Sequence, residues 1–180
     1  RVPQIWTGSS PWGLAVVPGR NDAALYLADR AEKQVNAVLV RLIDHKFSDR
    51  RPAWRNYYGH APFTANWLGG TLDFTAPEEK YWRQVDWVLR EAYRHGMTVL
   101  GAPAYVGYQL GDQGWADQII ANGDEKLRRY GEWLARRYRD YPNLVWVMGG
   151  DWSTTFEDKA LTEEIDSLAA GIKSLDSEHL

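Results

Sequence analysis

An apolar run, NLVWVM over residues 143–148, stops at two glycines, and the first charge after it is Asp151, followed by Trp152. A carboxyl group in that position can give and take a proton. The indole beside it would exclude water and keep the acid protonated near neutrality, as a general acid requires. The competing role is mechanical, since an Asp just past a strand is also a good first-turn cap for the next helix. No HExxH, GxxxxGK[ST], GxSxG or EF-hand pattern occurs, and the histidines at 45, 60, 95 and 179 lack metal-ligand spacing. No metal or cofactor is therefore expected. His95, next to Gly96, suits a helix end, where a cation complements the dipole. What remains is carboxylates and aromatics: ten Trp, ten Tyr and four Phe. Cleavage of a glycosidic bond uses such a set, two carboxyl groups across the scissile bond and flat side chains under the sugar rings.

The elements that must position these groups follow from pattern. The run before Asp151 is β-branched and aromatic with no polar alternation, which predicts a strand buried on both faces. Residues 4–13, QIWTGSSPWG, read as a brief strand entering a loop, residues 35–44 as a second strand and 97–105 as a third. Between them, residues 21–33 form a helix with Asn21 as its cap, and a capping box at Thr75, Pro77 and Glu78 starts another. The second helix carries the stripe Tyr81, Val85, Val88, Leu89 and Ala92 and ends at Gly96. A third opens at Asn122 and Glu125 with Leu127, Tyr130, Leu134 and Tyr138 inward, and a fourth repeats Leu161, Ile165, Leu168, Ile172 and Leu175. Residues 45–75 and 106–121 read as long loops, and loops of that length in a compact domain are usually functional.

Four alternations of strand and helix predict an α/β fold with a parallel sheet and right-handed crossovers. A doubly wound sheet would carry a glycine-rich nucleotide turn after its first strand, and GSSPWG is not GxGxxG. A (β/α)8 barrel puts its active site in the loops at the strands' carboxyl ends, which fits the long loops and Asp151. These 180 residues would then hold its first four to five β/α units, since about 250 residues make a full barrel.

Composition agrees with a globular domain: 44% hydrophobic, 25% charged, net charge −3 and no cysteine. The interspersed charge gives no footprint for nucleic acid, and no apolar run approaches the ~20 residues that span a bilayer. Neither nucleic acid nor membrane is expected as a partner.

Five blocks in order, SSPWGL, YLADRAEKQVNAVLV, NYYGHAPF, YWRQVDWVLREAYRHGMTVL and YGEWLARRYRDYPNLVWVMGGD, span most of the chain. Together they resemble the apiosidase-like glycoside hydrolases, a (β/α)8 family formerly called a domain of unknown function. The resemblance implies a glycoside hydrolase acting on a plant- or microbe-derived polysaccharide, with residues 1–180 the N-terminal part of its catalytic barrel and Asp151 as acid/base. It further implies a secreted or periplasmic location and a second carboxylate on a later strand. By position, Trp12, Arg41, Asn56, Tyr58, His60, Tyr105 and Trp152 would line the cleft, although Arg41 has a ready partner in Asp44. Ser9 stands where the family carries an Asp, and Gln34-Val35 where it carries Gly-Phe, so an acceptor for a sugar hydroxyl is missing. A non-catalytic carbohydrate-binding module or inactive barrel fragment is the alternative. Half a barrel would leave two strand edges open, to be covered by a second chain or by the missing C-terminal half.

Overall fold

The computed structural model describes residues 5–45, 54–66, 70–108, 113–151 and 159–179, with backbone only at 65, 66, 159 and 160. In chain order the elements are β1 (Gly8–Ser9), α1 (Arg20–Glu32), β2 (Ala37–Arg41), β3 (Phe63–Asn66), β4 (Thr71–Pro77), α2 (Glu79–Arg94), β5 (Thr98–Ala102), α3 (Ala116–Tyr138), β6 (Leu144–Trp146) and α4 (Lys159–Leu175). Strands β1, β2, β5 and β6 are all parallel and adjacent in that order, so each β/α unit lays its strand beside the previous one. Apolar side chains fill both faces of this sheet, as the unbroken apolar runs predict.

The helical stripes bury as their spacing requires. Tyr81, Val85, Leu89 and Ala92 of α2 and Leu127, Tyr130, Leu134 and Tyr138 of α3 are fully enclosed, while Leu175 at the end of α4 is 40% exposed. Helices α3 and α4 cross with backbones touching: a Cβ on Gly131 would lie 2.3 Å from the Leu168 carbonyl oxygen, and one on Gly171 2.2 Å from that of Arg128. Two buried tyrosines tie the helices to the strand exits. Tyr81 donates to the Leu42 carbonyl at 2.9 Å and Tyr130 to that of Pro103 at 2.9 Å. Burial pushes both phenols well above the ordinary range, so they remain donors.

The chain departs from its sequence reading in the 45–75 stretch. Instead of loop throughout, it contains the antiparallel hairpin β3–β4, which carries Phe63 and Phe74 stacked 4.4 Å apart into the space between α2 and α3. That hairpin explains the misplaced caps. Thr75 sits within β4 with its Oγ1 donating to Asp73, so α2 begins after Glu78 with no side-chain cap. Helix α3 begins at Ala116, ahead of Asn122, and bends at Gly123, whose φ of 73° favours glycine. Asn122, expected to cap, instead reaches β4: its Oδ1 accepts from the Phe74 N–H at 3.1 Å and its Nδ2 donates to the Leu72 carbonyl at 2.8 Å. Gln118 accepts from the Leu72 N–H at 2.9 Å, so side chains of α3 occupy polar groups that an edge strand would leave open. At α1, Gly19 rather than Asn21 takes the cap position, and the Arg20 N–H is satisfied by the Tyr58 hydroxyl at 3.1 Å. A tertiary partner replaces the local cap.

Replacing Asn122 with Ala leaves a buried N–H and a buried carbonyl without partners, and we expect a loss of about 2–3 kcal/mol. Urea unfolding of the full-length protein measures it. Unchanged stability would mean that aromatic packing alone holds the hairpin.

Candidate active site

The sheet delivers its charged and aromatic side chains to one edge. Trp12 follows β1, Arg41 ends β2, Asp44 follows it, Tyr105 follows β5 and Asp151 follows β6. Backbone hydrogen bonds lock these exits together: Arg41 N to Trp12 O at 2.9 Å, Leu42 N to Ala102 O at 2.9 Å, and Val106 N to Gly149 O at 2.9 Å.

Arg41 is the centre of the group and is only 5% exposed. Its guanidinium lies 3.8 Å from the Tyr105 ring centroid and 4.6 Å from that of Trp12, a cation between two π faces. Its Nη1 donates to Asp44 Oδ1 at 3.3 Å, and the His45 N–H donates to the same oxygen at 2.9 Å. Burying a cation is costly unless it is matched, and the ring faces and the carboxylate supply that match.

Tyr105 links this cation to the acid. Its hydroxyl donates to Asp151 Oδ2 at 3.1 Å. Its ring lies against Gly150, where a Cβ would fall 2.3 Å from Cδ2, and the φ of 115° at that glycine also excludes other residues. The two glycines ahead of Asp151 thus serve one purpose. Gly149 turns the backbone at φ 81°, and Gly150 lets the tyrosine ring lie flush with the chain that carries the carboxylate. Asp151 itself is exposed rather than desolvated. Trp152, expected to shield it, lies outside the described residues.

The other expected cleft residues form a separate group. Asn56 is fully buried and organises its own loop, its Oδ1 accepting from the backbone N–H groups of Tyr58 and His60, each at 3.1 Å. Tyr58 is exposed and turned toward α1. His60 is half-buried, on the same loop. The structure therefore brings Trp12, Arg41, Tyr105 and Asp151 together and places Asn56, Tyr58 and His60 on a separate loop that meets the start of α1 through Tyr58. Ser9 points away from this edge, its hydroxyl 2.7 Å from that of Tyr26 on α1.

Sequence reasoning missed a ring cluster bridging the loops after β2 and β5. His45 lies 5.3 Å from Trp115 and 5.9 Å from Trp54. The signal was two Trp in long loops, but only the fold brings them together. Among the described residues, no three His, Asp or Glu side chains converge on a metal site.

A family model for apiosidase-like catalytic domains matches residues 2–180. Among solved structures, one described as a glycoside hydrolase is 25% identical with a TM-score of 0.72, covering 99% of this chain and 36% of that one. A glycoside hydrolase family 5 structure from Bacteroides vulgatus is 24% identical with a TM-score of 0.72, covering 99% and 34%. An endo-1,4-beta-mannanase from Rhizomucor miehei, 13% identical with a TM-score of 0.66 over 97% of this chain and 54% of its own, shares the fold. The four β/α units are thus part of a (β/α) barrel, and the chain spans about a third of the length of the first two structures. No curated protein matches the sequence.

Burial, the hydrogen bond to Asp151 and the negative charge of that carboxylate raise the Tyr105 phenol above its ordinary range, against the pull of Arg41. Because the folded value lies above the unfolded one, this linkage contributes stability that is fully present below the ordinary tyrosine range. It is lost as pH rises through the folded value. Replacing Asp151 with Asn should lower the Tyr105 transition while burial keeps it elevated. Ultraviolet difference titration against a Tyr105→Phe variant reads the shift, and an unmoved transition would show that the two groups are not coupled.

Proposed function

The chain belongs to the family of apiosidase-like catalytic domains, and from that premise we propose that it forms the acid/base side of a glycoside hydrolase active site, with Asp151 as the proton donor. One observation carries this reading. Asp151 stands at the carboxyl end of the fourth parallel strand, its Oδ2 held at 3.1 Å by the hydroxyl of Tyr105. That edge is where (β/α) barrels assemble catalytic groups.

In the proposed reaction the protonated Asp151 carboxyl gives its proton to the bridging glycosidic oxygen as the bond to the anomeric carbon breaks. A second carboxylate, supplied by barrel units outside these residues, attacks the anomeric carbon or activates a water. Tyr105 orients the acid, Arg41 and Trp12 fix Tyr105, and the Asn56–His60 loop forms a wall of the cleft. The substrate is a polysaccharide of plant or microbial origin. A polymer of that kind is met outside the cytoplasm, which favours a secreted or periplasmic protein, and no helix among the described residues is long and apolar enough to cross a membrane.

In the full-length protein, Asp151→Asn should slow cleavage of unactivated glycosides by about 10²–10⁴-fold, the usual contribution of a positioned general acid. Aryl glycosides whose leaving group needs no proton should lose less. Equal turnover by the variant and the parent on an unactivated substrate would remove Asp151 from the mechanism.

A further inference from the structure

On the outer wall, away from the candidate active site, α1 and α2 enclose a groove of about 260 Å³ lined by Arg20, Arg83, Arg90, Arg94 and Trp87 together with two carboxylates, Asp86 and Glu91. Four of these residues form a single stripe of α2, since positions 83, 87, 90 and 94 recur at spacings of four, three and four. At 1.5 Å per residue the stripe runs about 16 Å. Arg20 reaches in from α1, its guanidinium 5.6 Å from the Trp87 ring centroid and anchored by hydrogen bonds to Gln84 Oε1 at 3.1 Å and the Arg83 carbonyl at 3.4 Å.

Of the nearby acids, Asp86 and Glu79 are held from outside the groove, while Glu91 pairs within it, and four arginines outnumber the two lining carboxylates. Arg137 of α3 forks Asp86 at 2.8 and 2.9 Å and Glu79 at 2.8 and 3.1 Å. Arg83 and Arg90 stand 3.6 Å from those carboxylates with 64% and 63% of their side chains exposed. Arg94 pairs with Glu91 at 3.0 Å but is 73% exposed. The arginine ends of these pairs are exposed while Asp86 and Glu91 are only 10% and 14% exposed, and a guanidinium with five N–H donors can keep such a partner and still present donors to an incoming anion. A chain of net charge −3 thus concentrates arginine along one groove.

Beyond the groove, Arg20 adjoins an aromatic pair. The Arg20 N–H donates to the Tyr58 hydroxyl, and the Tyr57 ring lies close over Gly19, where a Cβ would meet it at 3.1 Å. Tyr57 and Tyr58 are exposed, 5.2 Å apart and edge to face, on the loop that follows β2. An exposed aromatic pair therefore adjoins the arginine groove at Arg20.

We propose that this groove is a second binding site for a carboxylate-bearing polysaccharide, with uronate groups held by the arginines and a sugar face resting on Trp87. Only the choice of a sugar polymer rests on the glycosidase reading. The arginine fork matches a carboxylate bidentately, and an indole suits the apolar face of a pyranose ring.

The test uses the full-length protein and polygalacturonate, with its fully methyl-esterified form as the uncharged control. Calorimetry should detect binding to the acid polymer that weakens as salt rises, and none to the ester. The double substitution Arg83→Gln with Arg94→Gln, both at exposed positions, should weaken binding about tenfold or more with the circular dichroism spectrum unchanged. Asp151→Asn should bind as the parent does, so this site can stand or fall apart from the catalytic assignment. Undiminished affinity in the folded double variant, equal binding of the ester, tighter binding of a DNA duplex, or loss of binding in Asp151→Asn would each overturn the proposal.

Discussion

The rest of this edge depends on a buried cation that has been made affordable. Arg41 ends a strand inside the protein, where an unmatched guanidinium would cost several kcal/mol. Two ring faces, at 3.8 and 4.6 Å, and the Asp44 carboxylate surround it. A desolvated cation–π contact is worth about 2 kcal/mol, so the rings are structural partners of the charge. Their positions are thereby fixed as well. Trp12 comes from the first strand exit, Tyr105 from the third and Arg41 from the second, and the stack joins three loops that backbone bonds alone would join only in pairs.

That constraint passes to the fourth exit through glycine. The Tyr105 ring lies where a side chain on Gly150 would be, so the β6 loop can approach only because position 150 has no Cβ. The nearest described polar partner of Asp151 is then the tyrosine hydroxyl. The hairpin and the helix tyrosines act one level further out. Phe63 and Phe74 fill the gap between α2 and α3, and Tyr81 and Tyr130 hold the carbonyls beside the strand exits.

Much of this was legible in the sequence. The four parallel strands, the buried stripes of α2 and α3, and Trp12, Arg41, Tyr105 and Asp151 as neighbours at one edge all follow from apolar periodicity and from the rule that strand exits converge. The hairpin was not legible, because β3 is short, Gly69 and Gly70 fall between the two strands, and β4 is held by side chains of α3. The caps failed for the same reason. Asn122 and Thr75 have cap-forming side chains, but β4 offered Asn122 two backbone partners in the interior and enclosed Thr75 within a strand. Local capping chemistry yields when a buried backbone group would otherwise go unsatisfied. The pairing of Arg41 with Asp44 was readable from spacing, whereas its enclosure between Trp12 and Tyr105 was not, since those rings are distant in sequence.

The interposed tyrosine has a chemical logic of its own. An arginine donating to a carboxylate favours its charged form throughout, which would work against the proton exchange proposed for Asp151. A hydroxyl can both donate and accept. Tyr105 can donate to the Asp151 carboxylate and, by turning its O–H, accept from the carboxylic acid, so one contact serves both ends of the proposed catalytic cycle. Arg41 meanwhile spends its charge on Asp44 and on the two rings. The cation therefore fixes the tyrosine that meets the acid, and on the proposed reading that placement is what suits the edge to acid/base work.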